Sequence, residues 1–262
     1  MAMRLHWQVH PGTGPYLLLV HGFLMGPNQW HPNLAALGAV CQPVVVDLLG
    51  HGDSPAPVDV ECYRPSAYVK AFEAIRQALG AERWFLCGYS LGAGLTVRYA
   101  LTHPERVIGH AFTNSTSALA DAEQVALWRD EAEASAARIL AGGSRAIERI
   151  PVHPRFAKRI DPASRALVLA DAARLKPQGV ANAIRCTTPE ASVRSELGGN
   201  PRPALLLNGA RETRFQPHRQ FVADHMRQVR IVDLDAGHAV NLEAADAFNR
   251  ALAEFVEQCP IS

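Results

Sequence analysis

Short apolar runs alternate along the chain with longer stretches whose apolar residues recur at helical spacing. The runs at 5–9, 16–20, 44–47, 84–88, 107–113, 204–208 and 229–234 read as strands. The central ones are continuously apolar, as expected of strands covered on both faces. Residues 65–79, 93–101 and 244–257 read as helices packed across them, and the alternation predicts a mostly parallel sheet in an α/β fold. Between Asn114 and Arg194 no strand is legible. Helical segments at 122–141, 144–150, 162–175 and 177–186 replace it. Val125, Leu127, Trp128, Ile139 and Leu140 are expected to face the active site or the core, and Glu131 and Glu133 to form a solvated helix face.

Composition narrows the function classes. Twenty-six Lys and Arg against 25 Asp and Glu leave a formal charge of +1, which points away from nucleic acid and anionic membranes. Five scattered cysteines (Cys41, Cys62, Cys87, Cys186 and Cys259), without a Cys-x-x-Cys pair, read as reduced and mostly buried, which suits the cytoplasm. The amino terminus from Met1 to His6 meets polar residues early, so no signal peptide or membrane span is expected. Eleven histidines form no metal-binding array, and no metal or cofactor is expected.

The chemistry gathers at three short segments. Gly88-Tyr89-Ser90-Leu91-Gly92 sits between an apolar run and a helix, the pattern of a nucleophile elbow. Its tight turn exposes the serine hydroxyl at a helix amino end, where unpaired N–H groups favour negative charge. The strand at 16–20 runs into His21-Gly22-Phe23, a turn able to offer the Phe23 N–H beside that of Leu91 as an oxyanion hole. Asp235-Ala236-Gly237-His238 places a histidine on a small-residue loop. Serine, acid, histidine is the chain order of one triad class. Glu212 is the favoured acid, with Asp121 and Asp235 as alternatives. His21 and His51 read as organisers of their loops.

Five motifs in order, His21-Gly22-Phe23, Asp47 to Ser54, the elbow, Gly209-Ala210-Arg211-Glu212 and Gly237-His238, resemble those of the α/β-hydrolases over positions 21 to 238. The resemblance implies a mostly parallel eight-stranded sheet with helices on both faces and a helical lid after the sixth strand. Residues 1–113 and 195–262 would form the core, and residues 114–194 the lid. Where the family usually has aspartate after the penultimate strand, this chain has Glu212.

Within that fold the chain is similar to the serine esterases and to the branch of the menaquinone-pathway synthase, which eliminates pyruvate from 2-succinyl-type substrates. That branch usually has an arginine just past the elbow, where this chain has Ala93 and Gly94. Arg129 is the candidate carboxylate clamp on the lid. Met25, Trp30, Tyr89, Trp128, Phe215 and Val240 are the remaining pocket candidates, and their apolar character favours a hydrolase of small esters or related acyl compounds. Carbon–carbon bond hydrolysis of a dienoate and a ligand receptor on the same fold stay open. A serine nucleophile sets aside haloalkane dehalogenases and epoxide hydrolases, which use aspartate. The expected partner is a small-molecule substrate, with the chain a monomer or homodimer.

Overall fold

The computed structural model describes residues 4–260, so residues 1–3 of the amino-terminal stretch lie outside the described residues. Seven strands form one sheet: β1 Trp7–Val9, β2 Tyr16–Val20, β3 Gln42–Val46, β4 Trp84–Gly88, β5 Val107–Thr113, β6 Ala204–Gly209 and β7 Val229–Leu234. Their spatial order is β1-β3-β2-β4-β5-β6-β7, with β1 antiparallel to β3 and all other pairs parallel. The expected eighth strand is absent among the described residues, and the helical insert therefore follows the fifth strand rather than the sixth. The run at 5–9 is also shorter than expected, since Leu5 and His6 precede the strand.

The two-residue period of the strands sorts side chains into two cores. Leu17, Leu19, Phe85, Cys87, Leu205 and Leu207 pack beneath helices His31–Leu37 and Ala245–Gln258. On the opposite face, Leu18, Val20, Val44, Val46 and Leu86 meet helices Pro65–Ala78 and Leu91–Thr102. The order reverses at β2, because β3 lies on one side of it and β4 on the other. In open parallel sheets, ligands bind at the strand carboxyl ends beside such a reversal. Here that point is where the loops after β2 and β4 meet.

The insert is helical as expected, but its elements differ in detail. The helical stretch Ala122–Ile147 is two helices meeting at a kink at Gly143 (φ 56°, ψ −144°), in keeping with the two expected at 122–141 and 144–150. Ala132, Ala136, Ile139 and Ile147 form its buried stripe. Leu127 and Leu140, expected to be inward, are 50% and 42% exposed because they lie off or at the edge of that stripe. Helix Pro162–Ala173 follows, and Pro177–Asn182 widens into a π turn over Ala183–Thr187. All five cysteines are unpaired, and only Cys62 is not fully buried. No described helix is long and apolar enough to cross a membrane.

A buried carboxylate ties the insert to the core. Asp171, on the Pro162–Ala173 helix, accepts bonds from the Asn28 backbone N–H (2.9 Å) and the Asn28 Nδ2 (2.7 Å). Asp171→Ala leaves both donors unpaired in a buried site, and is expected to destabilise the fold by about 1–3 kcal/mol. Urea unfolding checks this; a midpoint equal to that of the wild type would show that the tie contributes nothing.

Candidate active site

Ser90 stands two residues past β4, at the N-cap of helix Leu91–Thr102, with a left-handed backbone (φ 51°, ψ −116°). A non-glycine residue persists there only when its surroundings impose the conformation. They do so by crowding. A Cβ on Gly88 would overlap Thr96 Oγ1 and stand 2.5 Å from the Gly92 carbonyl oxygen. One on Gly92 would overlap the Val20 carbonyl and stand 2.6 Å from that of His21. The turn is fixed by Ser90 N–H donating to Thr113 Oγ1 (3.3 Å) and Ala93 N–H donating to Ser90 O (2.9 Å). The hydroxyl is thereby presented at the carboxyl end of the sheet.

His238 and Glu212 come from the loops after β7 and β6. Ser90 Oγ lies 3.0 Å from His238 Nε2, and His238 Nδ1 lies 3.0 Å from each Glu212 carboxylate oxygen. A carboxylate only accepts, so Nδ1 carries the proton and Nε2 is free to accept from the serine. The two loops meet because Gly209 lacks a side chain: a Cβ there would overlap the Gly237 carbonyl. Asn114, just past β5, donates to Glu212 Oε2 (2.7 Å) and to Gly209 O (3.1 Å), and accepts from Gly209 N–H (2.9 Å). Burial pushes the Glu212 carboxyl up, but the His238 bond and charge and the Asn114 bond outweigh it and hold the group below its ordinary range. Glu212 is therefore ionised at neutral pH. Of the alternative acids, Asp121 caps the Ala122–Ile147 helix through Gln124 N–H and Asp235 pairs with Arg211 on the surface; neither bonds to His238.

The loop after β2 leaves the Phe23 N–H free. Gly22 N–H donates to Gln29 Oε1 (3.1 Å), Leu24 N–H to His51 Nε2 (3.3 Å) and Met25 N–H to Gly22 O (3.2 Å). Among the described residues, Phe23 N–H and Leu91 N–H have no protein acceptor, and both residues line the cavity with Ser90. His21 and His51 are loop organisers, as their positions suggested. His21 Nε2 accepts from Leu48 N–H (3.0 Å), and His51 Nδ1 sits 2.9 Å from Leu49 O.

The cavity over Ser90 holds about 560 Å³. Met25, Tyr89 and Trp128 line it as expected, together with Phe23, Val152 and Phe156. Trp30, Phe215 and Val240 do not. All three are completely buried, Trp30 and Val240 in the core beneath the last helix and Phe215 in the core beside β6. Arg129 is exposed on the insert and absent from the cavity wall, where Arg214 is the guanidinium present. His6, Asp47 and Asp53, none of which lines the cavity, could each turn one ligand atom toward a cation, but Asp47 Oδ2 is already engaged by Asp53 N–H and His6 Nδ1.

The α/β hydrolase fold family matches residues 15–245. The chain belongs to it. A Bacillus subtilis protein provisionally named 2-succinyl-6-hydroxy-2,4-cyclohexadiene-1-carboxylate synthase is 26% identical over 94% of this chain and 92% of its own length. An uncharacterized carboxylesterase of the same organism is also 26% identical, over 94% of this chain and 80% of its own. Among solved structures, MenH from S. aureus superposes with a TM-score of 0.84 at 18% identity, covering 97% of this chain and 98% of that one. At that identity the likeness concerns the fold.

This α/β-hydrolase also carries site residues that sequence reasoning missed. Asn114, His153 and Glu243 carry no local motif; only the sheet order and the insert bring them to the cavity or to Glu212, while Arg214 reaches the wall from the segment that follows Glu212. Three buried histidines set an acid limit on the fold. Burial lowers His21 to about 4, His51 to about 3 and His110 to about 4. In the unfolded chain they take up protons near pH 6.5. Their contribution is thus intact above pH 6.5 and is lost as pH falls toward 4, at roughly 1 kcal/mol per histidine per pH unit below 6. Thermal melts from pH 7 to 5 should show a steadily falling Tm; a flat profile would contradict the buried, neutral assignment.

Proposed function

We propose that this chain is a serine hydrolase, a carboxylesterase acting on small esters or related acyl compounds through Ser90, His238 and Glu212. The observation that carries the reading is the unbroken relay from Ser90 Oγ through both nitrogens of His238 to Glu212, with 3.0 Å at each link. Ser90 Oγ attacks the ester carbonyl as His238 Nε2 takes its proton, and Glu212 holds the imidazole in the required tautomer and balances the imidazolium. The oxyanion is met by the N–H groups of Phe23 and Leu91, backed by the dipole of the Leu91–Thr102 helix. His238 then protonates the leaving alcohol, and water repeats the cycle on the acyl-enzyme.

The cavity wall supports the choice of substrate class. It is mostly apolar and of a size for a short acyl chain, with the helical segment 114–194 serving as its lid. Pyruvate elimination from a multiply charged substrate has less support, because Arg129 is not on the wall and Arg214 is the single guanidinium there. Past the elbow, Ala93 is completely buried and a Cβ on Gly94 would stand 2.8 Å from the Ala191 carbonyl, so neither position supplies a charge to the cavity.

p-Nitrophenyl acetate, butyrate and octanoate are expected to be turned over, with the shorter esters preferred. Ser90→Ala should lower kcat by roughly 10³-fold or more. Glu212→Gln, which removes the charge facing Nδ1, should lower it by roughly 10²–10⁴-fold. A wild type without turnover, or a Ser90→Ala variant that keeps it, would reject the reading.

A further inference from the structure

We infer that Glu243 is a positioning residue for His238, a second carboxylate that holds the base by its backbone while Glu212 holds it by its ring. The inference rests on the serine-hydrolase reading. Glu243 Oε2 accepts from Gly237 N–H (2.8 Å) and Glu243 Oε1 from Ala239 N–H (3.3 Å). The two oxygens thus hold the N–H groups of the residues directly before and after the histidine. The turn that returns Glu243 to this place is itself bonded to the same loop: Glu243 N–H donates to Ala239 O (2.7 Å) and Val240 N–H to His238 O (3.0 Å). The side chain is half-buried and lines the cavity beside Ala239 and His238, so its hold on the loop is screened from bulk water.

An ordinary helix cap would need one of these bonds, that to the N-cap residue Ala239. The stronger bond goes instead to Gly237, outside the turn and directly before the base. The neighbours of the ring leave the backbone as the remaining point of control. Glu212 fixes Nδ1, Ser90 occupies Nε2, and the Tyr89 ring sits edge-on to the imidazole at 5.4 Å. A loop free to shift would carry Nε2 away from Ser90 Oγ even with Glu212 in place. Displacements of about 1 Å at a reacting pair cost on the order of 10²-fold in rate.

Glu243→Ala removes both acceptors; Glu243→Gln keeps one oxygen and turns an amide donor toward the other N–H. With p-nitrophenyl butyrate, kcat should fall roughly 10–100-fold in Glu243→Ala and less in Glu243→Gln, with KM within about twofold of the wild type. In NMR spectra of the unliganded protein, the His238 Nδ1–H resonance should be sharp in the wild type and broadened in both variants. Unchanged kcat and an unchanged resonance, with only a lowered Tm, would reduce Glu243 to a cap and overturn the inference. The resonance decides the matter even if Glu243→Ala fails to fold, through Glu243→Gln, or if the esters are not substrates. Loss of the esterase reading would show separately, as wild-type inactivity or persistence in Ser90→Ala.

Discussion

The left-handed backbone of Ser90 is the constraint around which the site is arranged (φ 51°). Such a conformation costs of order 1–3 kcal/mol and persists only if the structure around it allows no other. Strand β4 leads in and a twelve-residue helix leads out, each packed into the core on the far face of the sheet. Between them Gly88 and Gly92 let the turn press against Thr96 and the end of β2. The same contact with β2 fixes where Phe23 lies relative to Ser90. The strain, the exposed hydroxyl and the paired N–H groups are thus products of one close approach.

The pairing of Glu212 with His238 depends on a second approach of the same kind. Gly209 against the Gly237 carbonyl lets the loops after β6 and β7 stack, and Asn114 bonds the first of them to the end of β5. Glutamate in place of the family's usual aspartate fits this arrangement, because Glu212 reaches His238 with both oxygens at 3.0 Å while Asn114 steadies one of them. The longer side chain loses more rotamer freedom when ordered. The bonds from His238 and Asn114 offset that loss.

Much of this was legible in the sequence, and the limits of legibility have physical causes. Ser90, His238 and the two loop histidines could be read because tight turns restrict which residues stand beside them, and those restrictions are local. Glu212 was readable by its spacing from Gly209. Asn114 and Glu243 were not, since a polar residue after a strand or in a short helix satisfies local rules whatever it touches. Trp30, Phe215 and Val240 show a different limit. Apolar side chains suit a cavity wall and a core equally, and only the packing of the Ala245–Gln258 helix and of the strands separates the two. Arg129 failed as a clamp for a related reason: charge reveals nothing about which side of an amphipathic helix faces the cavity.

The insert and the loop after β2 form a single mechanical unit. Leu24, next to the N–H offered by Phe23, is completely buried in the insert's own apolar cluster with Ala136, Ile139, Val180 and Ala181. Asp171 bonds to Asn28 on the same loop, and Lys176 reaches Gly50 and Ser54 on the loop held by His51. His51 in turn accepts from Leu24 N–H. The roof of the cavity therefore cannot be repacked without moving one of the two donors proposed to meet the oxyanion. Substitutions that reshape the pocket through the insert should accordingly alter rate as well as substrate preference, and so should changes at Tyr89, whose ring packs against Gly22 beside the Phe23 N–H.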